Sequence, residues 1–472
     1  MKKARFIRLF ILICIGGSLL LSGCSAHVHV YDQKVIPATC TSIGYTINTC
    51  SCGDRFFSAY QSKTAHPYSD WIHGTEADLI RKGEDYSYCT VCGDLRIRES
   101  DNLSTLPKLY YSFEEEGIGS LLFDHHGSYF TSGASLIANG PYEKQDYSLS
   151  LYYKSDRSAY RTDLGWGEQS TYRLCAQYLD PLKCRDLIGQ TVWNTVCAER
   201  IGSKIIPQAG IPVQLFVGGI YQGVFLLLPD RSWQYKTAGQ TASLLASDDS
   251  CDFTALPVFS RPGLGERETG FAFLHCTGES TDWAEESFEA FVGFVQTATD
   301  KQFKQRLAEH TDPEALIDFY LTAQVLGASR RLENGTVWIT DEKGRWTPSF
   351  SDLINSLGIT ETGTPCWHVY NLPSADDRGN LVYKQNNLLW KRLLEAYQPE
   401  IKARYNALRE TVFTVEALDK LFAEKSSIIE YELLDYEKQL YSGTPVGSTT
   451  QAVTEYIEKR LQALDELMAK SE

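Results

Sequence analysis

The sequence predicts an α+β protein. Strand-forming segments begin at about Leu106, the second half of the chain is mostly helical, and one short hairpin that delivers Asp352 bridges the two. Ahead of this body lies a segment rich in cysteine and histidine. With 472 residues, 43% of them hydrophobic, the chain has ample material for a core, and its 22% of charged residues is ordinary for a globular protein. The net charge of −15 argues against a nucleic-acid partner, because phosphate backbones reward Lys/Arg surfaces. It favours cationic partners, including basic peptides and metals.

The first element is a targeting segment. Lys2, Lys3, Arg5 and Arg8 flank an almost uninterrupted apolar run from Phe6 to Leu21, which leads into Leu21-Ser22-Gly23-Cys24. Residues 1–23 read as a secretory signal, with an uncleaved membrane anchor as the alternative. The Leu-Ser-Gly-Cys ending resembles the bacterial lipobox. That resemblance implies cleavage before Cys24 and a lipid on its sulfur, so that the mature chain is tethered to the extracytoplasmic face of the cell membrane. No later stretch of the sequence is long and apolar enough to span a bilayer.

Residues 24–100 form a duplicated module. An offset of 39 residues superposes His27 on His66, Ala38 on Ala77, Gly44 on Gly83 and Cys50 on Cys89, and both copies end in a Cys-rich turn followed by Gly-Asp. Neither copy is long enough to bury a core, so each needs a staple. A zinc ion fits: Cys40, Cys50 and Cys52 supply three ligands, with His27, His29 or His66 as the fourth. The second copy keeps Cys89 and Cys92 but has Leu79 where Cys40 would be, a poor ligand count unless His66 or His73 helps, so about one zinc is expected. A disulfide such as Cys89–Cys92 or Cys40–Cys50 is the alternative, since an exported location permits one. The segment resembles the small Cys/His repeats near the N-termini of exported bacterial surface proteins, and its role is read as structural or as a binding spacer. Six further cysteines, Cys175, Cys184, Cys197, Cys251, Cys276 and Cys366, have no pairing that sequence alone decides.

The body follows from about residue 104. "LPKLYYSF", "ASLIANG" and "YSLSLYYKS" read as strands. Asp180-Pro181 starts a helix that presents Leu187, Thr191, Val192 and Val196 on one face and stops at Gly202. "IPVQLFVGGIYQGVFLLLP" is a β-hairpin turning at Gly218-Gly219. The caps at Ser280 to Asp282 open a helix with Phe288, Phe291, Val292 and Val295 on one stripe, and Asp312-Pro313 opens another. "TVWIT" and "WTPSF" pair around a turn at Gly344 and deliver Asp352. After Tyr383 the chain is helical, with a break near Ser442 to Thr450.

In this order the segments resemble the spore-coat CotH kinase family, an atypical secreted branch of the protein-kinase-like fold. The resemblance covers about residues 104 to 440 and rests on "YLDPLKCRD" with Asp180 and Arg185, the hairpin "VQLFVGGIYQGVFLLL", the stretch from "LIDFYLTAQVLG" to "SDLINSLG", and the helical tail. It implies that residues 104–472 form a two-lobed kinase-like domain acting on Ser/Thr of exported or spore-coat proteins with ATP and Mg²⁺ or Mn²⁺. It assigns Lys144, supported by Arg185, to the nucleotide phosphates. It also assigns Asn334 and Asp352 to the metal and the catalytic centre, with Lys144, Asn334 and Asp352 converging on one cleft.

The sequence departs from the family pattern in its acids. Pro229, or Asp230 beside it, stands where an acid should orient the lysine. Ser329 and Arg330 stand where the catalytic aspartate belongs, and Ile354 replaces the second metal carboxylate. Glu333, Asp230 and Asp318 are candidate substitutes. Two functions therefore stay open: a kinase with a variant site and weak nucleotide binding, or a pseudokinase that serves as a surface binding or scaffold protein.

Overall fold

The structure, a computed structural model, describes residues 27–470 apart from 116–117, 126, 165, 201–209, 231–240, 249, 261–269, 279, 333, 341–343, 360–362, 364–386 and 444–448. The signal segment, Cys24, Glu333 and Cys366 lie outside the described residues. The chain divides into two compact units, Met1–Leu103 and Ser104–Glu472.

In the first unit, β1 (Tyr31–Ile36), β2 (Gly44–Cys50) and β3 (Arg55–Gln61) form one antiparallel sheet, and β4 (Ile72–Thr75), β5 (Gly83–Tyr88) and β6 (Leu95–Ser100) form another. The outer strands of both are largely exposed, as expected of sheets too small to enclose a core. The two sheets are the two repeats. A Cβ on Gly44 would lie 2.5 Å from the nitrogen of Ala38, and one on Gly83 would lie 3.0 Å from that of Ala77. At these positions the superposition by 39 residues holds. Nearer the start of each repeat it does not, because Tyr31 pairs with Cys50 and Tyr68 with Cys89. His29, not His27, is therefore the counterpart of His66, and the second repeat carries two extra residues between its tyrosine and its cysteine.

The second unit is α+β. It opens with a closed barrel of seven strands: β7 (Lys108–Glu115), β8 (Ile118–His125), β9 (Ser128–Asn139), β10 (Asp146–Tyr152), β13 (Thr171–Cys175), β14 (Ile211–Val217) and β15 (Ile220–Pro229). A small pair, β11 (Thr162–Asp163) and β12 (Glu168–Gln169), lies between β10 and β13 in the chain. The strand order is β10-β13-β15-β14-β7-β8-β9, so the β14–β15 hairpin sits between β13 and β7. The β14–β7 pairing is parallel, and the other pairings in the barrel are antiparallel.

Each barrel strand sends two residues, two apart, into the interior. They are Leu109 and Tyr111, Leu121 and Phe123, Ala134 and Leu136, Leu149 and Leu151, Tyr172 and Leu174, Val213 and Leu215, and Phe225 and Leu227. Period-two alternation is what a strand with one buried face requires. The hairpin turns where expected, with φ +58° at Gly218 and +79° at Gly219, a conformation glycine adopts without strain.

Between β13 and β14 runs α1 (Arg185–Ala198). Its expected start at Asp180 serves as an anchor rather than as the first turn, and burial takes in Ile188 and Trp193 as well as Val192 and Val196. Beyond the barrel, β16 (Ala242–Ala246), β17 (Phe259–Ser260), β18 (Phe271–Cys276), β19 (Thr336–Thr340) and β20 (Trp346–Phe350) form a sheet in the order β17-β18-β16-β19-β20.

The helices that follow are α2 (Asp282–Thr297), α3 (Asp300–Arg306), α4 (Pro313–Leu326), α5 (Leu388–Arg409), α6 (Val415–Ser426), α7 (Tyr431–Leu440) and α8 (Thr450–Lys470), with α4 packed on β20 of this sheet and α7 on β15 of the barrel. The α2 stripe of Phe288, Phe291, Val292 and Val295 is fully buried against Trp338 and Trp346. Asp312 accepts from the backbone of Glu314 at 3.0 Å and caps α4, whose far end closes at Gly327 in the left-handed conformation. Among the described residues, no helix is long and apolar enough to cross a membrane.

Candidate functional site

Lys144 lies just before β10 with its side chain enclosed. Its ammonium donates to Glu437 Oε1 at 2.8 Å and to the carbonyls of Ala176 and Val224, and it stands 4.2 Å from the centre of the Phe225 ring. Lys183 donates to the same Glu437 oxygen at 2.8 Å and to the carbonyl of Gln177 at 2.8 Å. The other Glu437 oxygen accepts from the backbone N–H of Val224 at 3.0 Å. One carboxylate thus serves two buried ammoniums. Burial opposes the charge on Glu437, but the two lysines outweigh it and hold the carboxyl below its ordinary range. Burial also pushes Lys144 down, to about 7, against the pull of Glu437 and with Lys183 adding repulsion.

Both directions describe one cluster with a surplus positive charge, in which Lys144 gives up its proton more readily than a free lysine. The fit depends on Gly223, at φ +100°. A Cβ there would fall 2.8 Å from Glu437 Oε2 and 3.2 Å from Lys144 Cε. The acid that fixes the lysine therefore comes from α7, which packs on β15, and not from the end of the hairpin. Pro229 is the last residue of β15 and pairs with Tyr172, while the backbone N–H of Asp230 donates to Thr171.

Asp352 follows β20. Its Oδ1 accepts from Arg331 at 2.6 Å, its Oδ2 from the Ser351 hydroxyl at 3.1 Å, and its carbonyl from Arg331 Nε at 3.1 Å. Arg331 comes from the 3₁₀ turn Ser329–Leu332 ahead of β19. Gly335, at φ +87°, makes room for it, since a Cβ there would lie 2.7 Å from the guanidinium. Thr336 pairs with Phe350, and the N–H of Ser351 donates to the carbonyl of Gly335 at 3.1 Å. Half-buried Asn334 and Asp352 thus follow on at the same end of the β19–β20 ladder.

Two aspartates that sequence reasoning passed over belong to this neighbourhood. Asp186, buried on α1, accepts from the N–H of Leu353 at 2.7 Å; burial first, then the charge of Asp352, pushes its carboxyl up to about 6. Asp146 accepts from the N–H of Ala176 at 2.7 Å, next to the carbonyl that Lys144 uses. It reaches solvent, yet desolvation leads the influences that raise its carboxyl, and the charge of Asp352 adds to them. Asp146, two residues from Lys144, is what brings the lysine segment within electrostatic range of Asp352. The signal was available: Asp186 follows Arg185 directly and Asp146 stands two residues after Lys144, both of them basic residues that the family pattern singles out.

Arg185 is fully enclosed. It pairs with Asp180 through Nη1 and donates from Nε to the carbonyl of Ser356 at 3.1 Å. It braces the loop after Asp352. Asp318 is bound to Arg404 at 2.8 Å in a helix–helix ion pair.

Among the described residues, Asp352 does not gather with two other acids at one point. Among the described residues, the groups that can hold a metal ion are two Cys/His sets in the first unit, His27–His29–Cys50–Cys52 and Cys40–His66–Cys89–Cys92, each with its ligand atoms within 4.8 Å of one another. The expected set of Cys40, Cys50, Cys52 and His66 is thereby split between them. No disulfide joins any two of the ten described cysteines.

The α+β unit thus holds a lysine locked to a distant glutamate and two aspartates, Asp146 and Asp186, that feel the charge of Asp352. Residues 127–464 match the family model described as CotH kinase protein. The match spans most of the chain, and the chain belongs to the CotH kinase family. A search of curated proteins found no match.

Proposed function

We propose that this chain is a catalytically silent CotH protein: a lipid-tethered, extracytoplasmic binding or scaffold protein built on a kinase-like domain, with the barrel and the helical body as its two lobes. The observation that carries this reading is the Arg331–Asp352 pair, N···O 2.6 Å. Asp352 is the carboxylate the family pattern assigns to Mg²⁺, and a guanidinium already neutralises it. A cation would have to displace that partner and would then find no second carboxylate at Ile354. Phosphoryl transfer needs its charges neutralised and its groups positioned. The loss of a proton acceptor alone costs about 10²- to 10⁴-fold.

One observation favours a second reading, an active kinase. The lysine–acid pair is intact through Glu437, and Asp186, with its raised carboxyl beside Asp352, has the chemistry of a general base. In that reading Lys144 would neutralise nucleotide phosphate, and Asn334 and Asp352 would hold the Mg²⁺ that offsets the charge of the transferred group.

Calorimetry with ATP, with and without Mg²⁺ or Mn²⁺, together with a phosphate-transfer assay on the mature protein, separates the two. The silent reading expects no metal-dependent gain in affinity and no transfer. It also expects Arg331→Ala, which uncovers Asp352, to gain Mg²⁺-dependent ATP affinity by about tenfold, or ~1.4 kcal/mol. Transfer by the wild type that is lost in Asp352→Ala would establish the kinase instead.

Tethering has its own test. Cys24→Ser is expected to lose acylation and leave the membrane fraction. A variant that stays membrane-bound and unprocessed would make the N-terminus a plain anchor. The expected partner is an exported protein, reached from the membrane surface.

A further inference from the structure

The geometry of the first unit points to two zinc ions per chain, the second held by a ligand borrowed from the first repeat. Both repeats build the same three-ligand core. In the first, His29 Nδ1 lies 3.3 Å from Cys52 Sγ, and in the second His66 Nδ1 lies 3.3 Å from Cys92 Sγ. Each core is completed by the cysteine that ends or follows the middle strand, Cys50 or Cys89. The turns match as well. Gly53 donates to the Cys50 carbonyl and Gly93 to the Cys89 carbonyl, both at 2.9 Å, while Cys50 and Cys89 donate to the carbonyls of Asp54 and Asp94, both at 2.8 Å.

The fourth ligands differ. In the first repeat it is His27, whose Nε2 lies 2.9 Å from Cys50 Sγ. The register that equates His29 with His66 equates His27 with Thr64, which has no ligand nitrogen. Cys40 takes that place. The N–H of Thr64 donates to the carbonyl of Thr39 at 3.0 Å, which ties the entry to the second repeat to the residue before Cys40. Cys40 Sγ then lies 3.8 Å from Cys89 Sγ.

These separations suit a shared metal ion. Zinc bonds of about 2.3 Å to sulfur and about 2.0 Å to nitrogen give tetrahedral edges of about 3.8 Å between two sulfurs and about 3.5 Å between sulfur and nitrogen. A disulfide would need about 2.05 Å. The first site is Cys₂His₂ and neutral once its two thiols are deprotonated. The second is Cys₃His and carries one negative charge. The crossing of Cys40 removes the ligand shortage that Leu79 suggested and makes the second site dependent on the first repeat.

Elemental analysis of the full mature chain, released from lipid by Cys24→Ser and kept reduced, is expected to find two zinc ions. Cys40→Ser should leave one, while Cys40→His should keep two. His27→Ala should weaken the other site and leave the Cys40 site loaded. In the Co²⁺-substituted protein, Cys40→Ser should remove the spectrum of the three-thiolate site and keep that of the two-thiolate site. One zinc or none in the wild type, two retained in Cys40→Ser, or thiols lost to disulfides by mass spectrometry would each overturn the assignment.

Discussion

Glu437→Ala is expected to destabilise the CotH domain by about 3–5 kcal/mol, the usual consequence of removing one partner from a buried ion pair. The variant would leave Lys144 and Lys183 enclosed without their shared carboxylate and the N–H of Val224 without its acceptor. Lys144→Met, by contrast, removes the surplus charge of the cluster and should cost far less, since an apolar replacement of similar volume relieves a desolvation penalty. Denaturant midpoints of the two variants check the pair, and equal losses would contradict the charge assignment.

The pH dependence follows from the same cluster. The Glu437 carboxyl is held low in the folded state, so its contribution is present above its unfolded value and is lost as pH falls through the folded one. Lys144 is held low as well, at about 7 against an ordinary 10.5. The unfolded chain therefore binds more protons between those values, and stability should rise with pH across that window. Lys144→Met should flatten the alkaline rise, and Glu437→Gln should remove the acid loss.

Asp180→Ala is the second large effect expected, again about 3–5 kcal/mol. Asp180 accepts from the N–H groups of Leu182, Cys184 and Arg185 and from the Arg185 guanidinium. Its removal would strip the start of α1 and leave Arg185 buried without its counter-charge. Because Arg185 also holds the carbonyl of Ser356, the loss should spread to the loop after Asp352. Hydrogen exchange at Leu353 and Leu357 should accelerate more than exchange in the barrel. Asp180→Asn, which keeps one acceptor oxygen for the N–H groups, should fall between Asp180→Ala and the wild type.

What was legible in the sequence was local. The Asp312-Pro313 cap, the Gly218-Gly219 turn and the apolar stripe of α2 are written in a few consecutive residues, and the structure has them in place. β8 and β13 went unread although Leu121 and Phe123, like Tyr172 and Leu174, alternate as strand residues should. Of the sheet beyond the barrel only the last hairpin is legible, because β16 and β18 join it from far away in the chain.

The site divided in the same way. Asn334 and Asp352 were readable as the ends of one hairpin. Glu437 was not, since 293 residues separate it from Lys144 and nothing near the lysine announces it. Arg331 was visible only as a residue out of pattern, and its meaning needed the fold to bring it to Asp352. Cys40 was assigned to its own repeat because spacing within a unit cannot show a ligand that crosses between units.

The position of the β14–β15 hairpin bears on how the barrel forms. The strands before it, β7 to β10 and β13, can pair in sequence as an open ribbon with β7 at one end and β13 at the other. Each end would expose a row of unpaired N–H and C=O groups, the kind of edge that recruits strands from other molecules. The hairpin covers both at once, through Gln214 opposite Lys108 and Leu228 opposite Arg173. Closure depends on residues distant in sequence and is correspondingly slow. It is also all-or-none: a chain cut short before Ile211 keeps two adhesive edges, and one that includes Pro229 can bury both in a single docking step.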